Sequence, residues 1–301
     1  MKTRLDVLLV ERGLAESRTR AQALVLEGKV RVGGQVETKS SRQLDEGAEV
    51  TVEKPPRFVS RGGEKLEGAF AAWGTGNGES SFANHLRQGY RRRASRYGGQ
   101  DGGQEASAFA EATADESEDK QGTALDVCGK VCLDVGSSTG GFTDCLLQHG
   151  AAFVMAVDVG TNQLAYSLRT DSRVWVRENF NARYMKPADL PRTPEVAVTD
   201  VSFISLRLIL PPIVDVLAPG GRIVALIKPQ FEVGKGNAPG GLVRDEGLRT
   251  EARDGIVRFA ADELGLELLG LAESPIRGRE MGNIEYLAFW QSGRDKRPKG
   301  I

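Results

Sequence analysis

The sequence has few residues of the kinds that build metal sites, disulfide frameworks or membrane spans. It contains three cysteines and only two histidines, and no Cys/His set has the spacing of a structural zinc site. We therefore expect no bound metal. No apolar run reaches the roughly 18 residues that cross a bilayer, and the first residues lack the apolar core of a signal peptide. These absences predict a cytoplasmic protein with no membrane partner.

An excess of charge of either sign is also missing. The 301 residues carry a formal net charge of -1, so a nucleic-acid-binding surface would have to lie in one segment of the chain. Two common nucleotide-binding patterns are absent as well: the Gly-x-x-x-x-Gly-Lys-Ser/Thr phosphate loop and the Gly-x-Gly-x-x-Gly dinucleotide turn. Kinase-like and dinucleotide-dependent chemistry are therefore not expected.

A glycine-rich turn is the most informative feature present. The apolar run from Val131 ends at Asp134 and leads into a turn and an amphipathic segment, as in the first strand, loop and helix of a nucleotide-binding sheet. Glycine allows the backbone to approach a ligand where a Cβ would collide, and the helix near Gly141 would direct its amides at that ligand. The glycines concerned are Gly136, Gly140 and Gly141.

A second apolar run, residues 151–157, ends at Asp158, about 20 residues further on, where a carboxylate would meet ribose hydroxyls. Further strands are predicted at 174–177, 196–199, 221–227, 266–271 and 286–290, with helices over 206–216 and 248–264. Pro211-Pro212 should interrupt the first of these helices. The pattern predicts an open, mostly parallel sheet of the Rossmann-like α/β class with an adenosine-type cofactor at its carboxyl edge.

Asp134, Asp158, Asp200 and Lys228 each follow an apolar run and should meet at that edge. A lysine directly after a buried strand is costly unless its amine is used or paired, and Asp200 offers the pairing. The same two residues also suit an ion pair that merely joins two strand ends. The spacing alone leaves both interpretations open.

The N-terminal segment predicts a small α+β unit. Leu5, Leu8 and Leu9 form a helical stripe closed by Gly13, and Ser17 can cap a second helix that ends at Gly28. A hairpin over residues 29–36 and a strand over 48–52 follow. Five basic residues cluster here: Arg4, Arg18, Arg20, Lys29 and Arg31. Each alone suits a solvated surface charge as well as an RNA contact, and the clustering favours RNA.

Composition changes sharply after Trp73. Residues 75–124 are dominated by Gly, Ser, Ala, Gln and charged residues, with too few apolar groups to offset ordering entropy. We expect a disordered insertion. Its run Arg91-Arg92-Arg93 could touch RNA phosphates, but the acidic run over 115–119 favours a plain linker.

Several long motifs carry a family resemblance. The turn Asp-x-Gly-x-x-x-Gly-Gly resembles the first motif of class I S-adenosylmethionine-dependent methyltransferases, and residues 3–53 resemble the αL RNA-binding module. The motifs Ser60–Leu66, Leu133–Asp144, Thr199–Ser205, Lys228–Gly236 and Gly282–Tyr286 stand in the order found in the TlyA family. That family joins an αL module to an FtsJ-like methyltransferase domain, and some of its members carry the name haemolysin.

The resemblance implies methyl transfer from S-adenosylmethionine to a ribose 2'-hydroxyl of cytidine in ribosomal RNA, with rRNA or ribosomal subunits as partners. It implies a catalytic tetrad of Lys65, Asp200, Lys228 and Glu285. A ribose hydroxyl is a poor nucleophile, so an amine must accept its proton. We expect Lys228 to be that base, Asp200 to orient it, and Glu285 to position Lys65.

The resemblance also assigns the remaining residues. The cofactor site would comprise Asp134, Gly136, Gly140, Gly141, Phe142, Asp158, Asn179 and Asn181, with the two asparagines near adenine. The expected domains are an αL module (3–54), a connector and helix (55–74), the insertion (75–124), the methyltransferase domain (125–293) and a tail (294–301). Two alternatives are a membrane-lytic or RNA-binding protein without activity, and a small-molecule methyltransferase.

Overall fold

The computed structural model describes residues 2–53, 56–74, 124–234, 236–278 and 282–293. The chain forms two compact units, residues 1–57 and residues 58–301. The predicted tail and the predicted insertion, apart from residue 124, lie outside the described residues. Among the helices that are described, none combines the length and the apolarity needed to cross a bilayer.

The first unit is a small α+β fold. Its elements are β1 (Lys2–Arg4), α1 (Leu5–Glu11), α2 (Arg18–Leu26), β2 (Val30–Val32), β3 (Gln35–Val36), β4 (Gln43–Asp45) and β5 (Val50–Val52). Ser17 caps α2 as predicted, because its Oγ accepts a hydrogen bond from the Arg20 N–H at 3.2 Å. Leu5, Leu8 and Leu9 are buried in the core of this unit. The antiparallel pair of β1 with β4 was not anticipated, since both strands have only three residues.

The second unit is a layered α/β fold. Its strands are β6 (Val131–Val135), β7 (Phe153–Val157), β8 (Val174–Arg177), β9 (Val196–Thr199), β10 (Arg222–Ile227), β11 (Leu266–Glu273) and β12 (Tyr286–Ser292). Its helices are α3 (Gly62–Trp73), α4 (Gly141–Gln148), α5 (Tyr166–Arg169), α6 (Leu210–Val216), α7 (Pro229–Glu232) and α8 (Glu246–Leu264). Short 3-10 turns lie at 182–184, 187–189, 206–208 and 239–241.

The described strands of this unit form one sheet in the order β11-β12-β10-β9-β6-β7-β8. Neighbours from β10 to β8 are parallel, and β12 runs antiparallel to both β10 and β11. Alternate residues point to opposite faces, so Leu133 joins one apolar layer while Cys132 joins the other. The sheet is buried on both faces, as the apolar runs predicted.

The helix predicted over 206–216 differs in detail from the observed one. A 3-10 turn covers 206–208 and α6 begins at Leu210, so Pro211 and Pro212 occupy its first turn and do not interrupt it. Proline is tolerated there because the first N–H groups of a helix have no partner within the helix. The prolines therefore set the start of the helix.

The two sides of the predicted insertion meet. The Leu125 N–H donates to the Trp73 carbonyl at 2.7 Å, and Gly74 forms a parallel bridge with Leu125. The described residues on the two sides of the gap, Gly74 and Leu125, are thus neighbours.

Candidate active site

Three strand ends bring three of the four predicted catalytic residues to one edge of the sheet. Asp200 follows β9 and Lys228 follows β10, which are parallel neighbours. Glu285 directly precedes β12, whose first residue Tyr286 pairs with Ile227. Because β12 is antiparallel, its beginning lies at the carboxyl edge of the other strands. The reversed strand therefore places Glu285 beside Lys228.

The fourth residue, Lys65, arrives from α3. The buried side chains Leu66, Ala69 and Phe70 of this helix belong to one apolar layer of the sheet. Lys65 Nζ donates to Glu285 Oε2 at 2.8 Å and lies 3.4 Å from Asp200 Oδ2. A helix outside the sheet thus delivers its amine between two strand-end carboxylates.

The second amine contacts the same aspartate. Lys228 Nζ lies 2.6 Å from Asp200 Oδ1, and it donates a hydrogen bond to Ser202 Oγ at 2.8 Å. The contact with Oδ1 is a close ion pair whose angles fall outside those of a hydrogen bond. Asp200 therefore bridges two lysines, one at each carboxylate oxygen.

The four side chains of the cluster are largely buried, which strengthens the ion pairs between them. The side chains of Lys65, Lys228 and Glu285 are 11%, 9% and 3% exposed, and that of Asp200 is 18% exposed. Two ammonium groups and two carboxylates balance in charge, which limits the cost of removing them from water. The structure brings all four residues of the predicted tetrad together in one connected cluster.

An asparagine missed by the sequence reasoning fixes the loop that carries Glu285. Asn283 is buried, its Oδ1 accepts from the Val243 N–H at 3.0 Å, and its Nδ2 donates to the Gly241 carbonyl at 2.7 Å. Gly278 also lies against Glu285, since a Cβ there would stand 2.8 Å from Oε1. Asn283 lies within the quoted motif Gly282–Tyr286, but its partners are some 40 residues away in sequence.

The glycine-rich loop lies beside this cluster at the end of β6. Gly136 has φ +82, and a Cβ there would meet the Asp200 carbonyl at 3.1 Å. Asp158, at the end of β7, accepts from the Ser138 N–H at 2.8 Å and from the Gly160 N–H at 2.7 Å. Each carboxylate oxygen has a further lone pair, so Asp158 can still accept from ribose hydroxyls.

Asp134 is fully buried under the loop. Thr143 Oγ1 donates to its Oδ2 at 2.7 Å, and no donor in the described part of the chain reaches its Oδ1. Burial above all, with a smaller effect of the Asp200 charge, raises the pKa of Asp134 to about 7. An unpaired buried acceptor next to a glycine turn suits a cofactor that brings a donor.

Three other predicted cofactor residues have roles in packing. A Cβ on Gly141 would meet Ser60 Oγ at 2.4 Å, and one on Gly140 would meet Leu168 Cδ1 at 2.3 Å. Gly141 therefore lets the segment before α3 approach the loop closely, and Gly140 does the same for α5. Phe142 is 3% exposed and belongs to the apolar layer that contains Leu66.

The two asparagines predicted near adenine lie on an exposed turn after β8. Asn179 has φ +51, and its N–H donates to the Gly160 carbonyl at 2.9 Å. Asn181 caps the following 3-10 turn, because its Oδ1 accepts from the Arg183 N–H at 3.1 Å. The turn thus joins the segment that holds Asp158, and the Asn179 side chain is exposed to solvent.

An exposed aromatic ring beside the tetrad was also missed. Phe203 is 83% exposed and has φ +63, a conformation that is strained for a bulky residue. Its ring lies 5.3 Å from that of Phe231, centroid to centroid. The signal in the sequence was an aromatic residue three positions after Asp200, and an aromatic residue at that position could equally have belonged to the core.

In the first unit, the five basic residues predicted to bind RNA fall into three arrangements. Arg4 Nε and Arg18 Nη2 both contact the fully buried Asp6, at 3.0 and 3.2 Å. A second set pairs Arg20 and Lys29 with Glu27, at 3.8 and 2.7 Å, and Arg31 donates to the Gly34 carbonyl at 3.2 Å. The arginine side chains on Asp6 remain 41% and 58% exposed, so their outer donors stay accessible.

Comparison with known proteins places both units. Residues 115–291 match the family model described as FtsJ-like methyltransferase, and residues 3–50 match the S4 domain model. The chain is 40% identical over 289 residues to "Putative rRNA methyltransferase YqxC" of Bacillus subtilis, covering 95% of this chain and 84% of that protein. It is 37% identical over 298 residues to "16S/23S rRNA (cytidine-2'-O)-methyltransferase TlyA" of Mycobacterium tuberculosis, covering 98% and 92%.

A solved structure is similar over nearly the same length. The structure of "Putative hemolysin from Streptococcus thermophilus" shares 37% identity, with a TM-score of 0.60, and the match covers 97% of this chain and 88% of that one. Both units therefore have counterparts in one and the same relative. The described architecture, a seven-stranded and mostly parallel sheet preceded by a small α+β unit, agrees with the predicted fold class.

Proposed function

The chain belongs to the TlyA family of FtsJ-like methyltransferases with an N-terminal S4 domain, and on that premise we propose that it methylates a ribose 2'-hydroxyl of cytidine in ribosomal RNA. S-adenosylmethionine is the proposed methyl donor. The observation that carries the proposal is the bridged cluster in which Asp200 contacts both Lys65 and Lys228. A pure strand-end ion pair would need only one of these lysines.

The proposed mechanism assigns one task to each member of the tetrad. Lys228 Nζ, in its unprotonated form, accepts the proton of the 2'-hydroxyl. Asp200 fixes the direction of that amine, and Lys65, held by Glu285, supplies a neighbouring positive charge. That charge stabilises the negative charge that develops on the ribose oxygen. When bound, S-adenosylmethionine supplies a methyl group on a cationic sulfur.

The proposed cofactor site lies between the glycine loop and Asp158. Asp158 would accept hydrogen bonds from the ribose hydroxyls of the cofactor, and Gly136 gives the backbone close access at the end of β6. Asp134 Oδ1 offers an unused acceptor. Gly140, Gly141 and Phe142 would support this site by packing, since their surroundings are protein groups.

An RNA substrate is supported by features outside the tetrad. Phe203 presents an exposed ring close to Asp200, and single-stranded or flipped bases commonly stack on such rings. The S4 domain carries the Arg4 and Arg18 guanidinium groups on Asp6. We propose that this domain binds folded rRNA through phosphate contacts, while Phe203 contacts the target base.

Methyl transfer from labelled S-adenosylmethionine to small subunits, large subunits and free rRNA tests the proposal. We expect label in RNA from at least one of these substrates, and none in a mixture of small metabolites. Label in the metabolites with none in RNA would identify a small-molecule methyltransferase. Lysis of red cells without any transfer would favour the membrane-lytic alternative.

A further inference from the structure

Three metal-ligating side chains meet at a place that the proposed reaction does not use. Glu67 lies on α3, Cys145 lies on α4, and His149 directly follows the end of α4. One possible ligand atom from each residue lies within 4.8 Å of the other two. Glu67 and Cys145 are buried, while the His149 side chain is 27% exposed. Their chemistry differs from that of the tetrad, which contains only amines and carboxylates.

The positions of these residues explain why they converge. Cys145 and His149 are four residues apart, and the His149 N–H donates to the Cys145 carbonyl at 3.0 Å, so both side chains lie on the same side of the last turn of α4. That side packs on α3, where Glu67 points back at both of them: Glu67 Oε2 lies 2.8 Å from His149 Nε2 and 3.9 Å from Cys145 Sγ. The imidazole also stacks on Phe70, with ring centroids 3.7 Å apart and planes 7° from parallel. The ring is thus held with Nε2 facing the carboxylate.

We propose that Glu67, Cys145 and His149 bind a divalent transition-metal ion of the zinc class. Thiolate, imidazole and carboxylate are the ligands that zinc takes in proteins, and three protein ligands leave one position for water. Charge supports the assignment: a thiolate, a carboxylate and a neutral imidazole together neutralise a 2+ ion in a buried place. The half-buried edge of His149 provides the route for the ion and for that water.

The separations are near those of a zinc site. Zinc bonds of about 2.0 to 2.3 Å give separations of roughly 3.2 to 3.7 Å between tetrahedral ligand atoms. The observed separation of Nε2 from Oε2, 2.8 Å, is somewhat short, and that of Sγ from Oε2, 3.9 Å, is somewhat long. A bound ion would draw the three ligand atoms, all within 4.8 Å of one another, to the tetrahedral separations.

No metal site was expected from the sequence, because a sequence shows only the spacing of residues along the chain. Cys145 and His149 are 78 and 82 residues from Glu67, and the pair alone does not form a structural zinc motif. Folding supplies the third ligand. A bound ion would join α3, which carries Lys65, to α4, which begins directly after the glycine turn.

Cobalt(II) titration of the full chain, first freed of metal with a chelator, tests the site. We expect a thiolate-to-cobalt charge-transfer absorption that saturates at one ion per chain and is reversed by zinc. Binding should weaken at least tenfold as pH falls, because protons compete for the imidazole and the thiolate. Zinc should also raise the Tm of the wild-type chain, since it binds the folded state.

Four variants locate the site. Cys145→Ser should abolish the thiolate absorption, and His149→Gln and Glu67→Gln should each weaken cobalt binding at least tenfold, with circular dichroism confirming that the variants fold. Cys128→Ser, which removes an exposed thiol, is the matched control and should leave binding unchanged. Absorption that is absent, that survives both His149→Gln and Glu67→Gln, or that is lost in Cys128→Ser would overturn the proposal.

Discussion

Three aspartates at one edge of the sheet differ because their surroundings differ. Asp134 is fully buried and receives one hydroxyl donor, so burial raises its pKa to about 7. Asp158 is half-buried and receives two backbone N–H groups. Asp200 contacts two ammonium groups. One residue type thus provides a largely desolvated group, a proposed hydrogen-bond acceptor for a ribose, and a proposed orienting anion.

We predict that Asp158→Ala weakens S-adenosylmethionine binding by about 1.5 to 3 kcal/mol, the range for a charge-assisted hydrogen-bonded pair. Part of the lost affinity would come from the missing hydrogen bonds to the cofactor. Another part would come from the Ser138 and Gly160 amides, which shape the loop and lose their acceptor in the variant. Isothermal calorimetry measures the total loss. Asp171→Ala, at a half-buried aspartate that pairs with Arg173 before β8, is the control. An unchanged Kd for Asp158→Ala would remove this residue from the cofactor site.

We predict a pH-dependent contribution of Asp134 to stability. Its folded pKa, about 7, lies above the ordinary value of 3.8, so the folded chain binds the proton more tightly than the unfolded chain. The stability that this proton confers is fully present below pH 4 and is lost as the pH rises through 7. Asp134→Asn, which keeps an acceptor for Thr143, should therefore gain Tm relative to wild type between pH 5 and pH 8. A difference in Tm that does not change over this range would contradict the burial argument.

Strands and their ends were the features that the sequence predicted best. Apolar runs at 174–177 and 196–199 are strands β8 and β9 with the same bounds. β9 is fully buried and β8 is a half-buried edge strand, and both have clear polar ends. Asp200 comes directly after the end of β9, and Lys228 comes directly after the end of β10. The parallel sheet then dictates which polar residues are neighbours.

Features that depend on contacts distant in sequence were not predictable. The antiparallel direction of β12, which places Glu285 beside Lys228, has no local signal. The packing that requires a glycine at 141 also has no local signal, because a Cβ there would meet Ser60 and Gly63. The role of Asp6 was also hidden, because a single acidic residue in a basic segment does not reveal that it is buried.

The two helices of the S4 domain are joined through Asp6. This carboxylate accepts from Arg4 before α1, and from Arg18 and Gln22 of α2. We predict that Asp6→Ala destabilises this domain by about 1 to 3 kcal/mol, less than a fully buried ion network because both arginines are partly exposed.

Hydrogen exchange of the α1 and α2 amides in the full chain measures that loss. Glu27→Ala, which removes an exposed carboxylate from the same domain, is the matched control and should change exchange little. Equal protection of these amides from exchange in wild type and Asp6→Ala would show that the stability of the domain does not depend on this residue. We also expect weaker RNA binding by Asp6→Ala, because Arg4 and Arg18 lose their fixed orientation.

The division of labour between the two units can be tested by deletion. If the S4 domain supplies phosphate contacts, removing residues 1–54 should lower rRNA affinity and leave cofactor binding close to wild type. Each lost phosphate contact should reduce the slope of log affinity against log salt by roughly 0.7 to 0.9. Filter binding over a salt series measures the slope, and an unaltered slope would place the RNA-binding surface elsewhere.

The matched deletion removes residues 76–123 and replaces them with a short linker. Because Trp73 and Leu125 are already joined by a hydrogen bond, this change should leave both cofactor and RNA binding within about twofold of wild type. A large loss of RNA affinity would instead assign phosphate contacts to the Arg91-Arg92-Arg93 segment.

We propose that the cluster around Asp200 directs methyl transfer from S-adenosylmethionine to a ribose hydroxyl. The most direct test is mass spectrometry of nucleosides from rRNA treated with wild type, Lys228→Ala or the exposed-lysine control Lys186→Ala, with cofactor binding measured by calorimetry. We predict 2'-O-methylcytidine with wild type and Lys186→Ala, and none with Lys228→Ala, whose cofactor Kd stays within about twofold of wild type. Retained methylation by Lys228→Ala, or a methyl group found only on a base, would contradict the account.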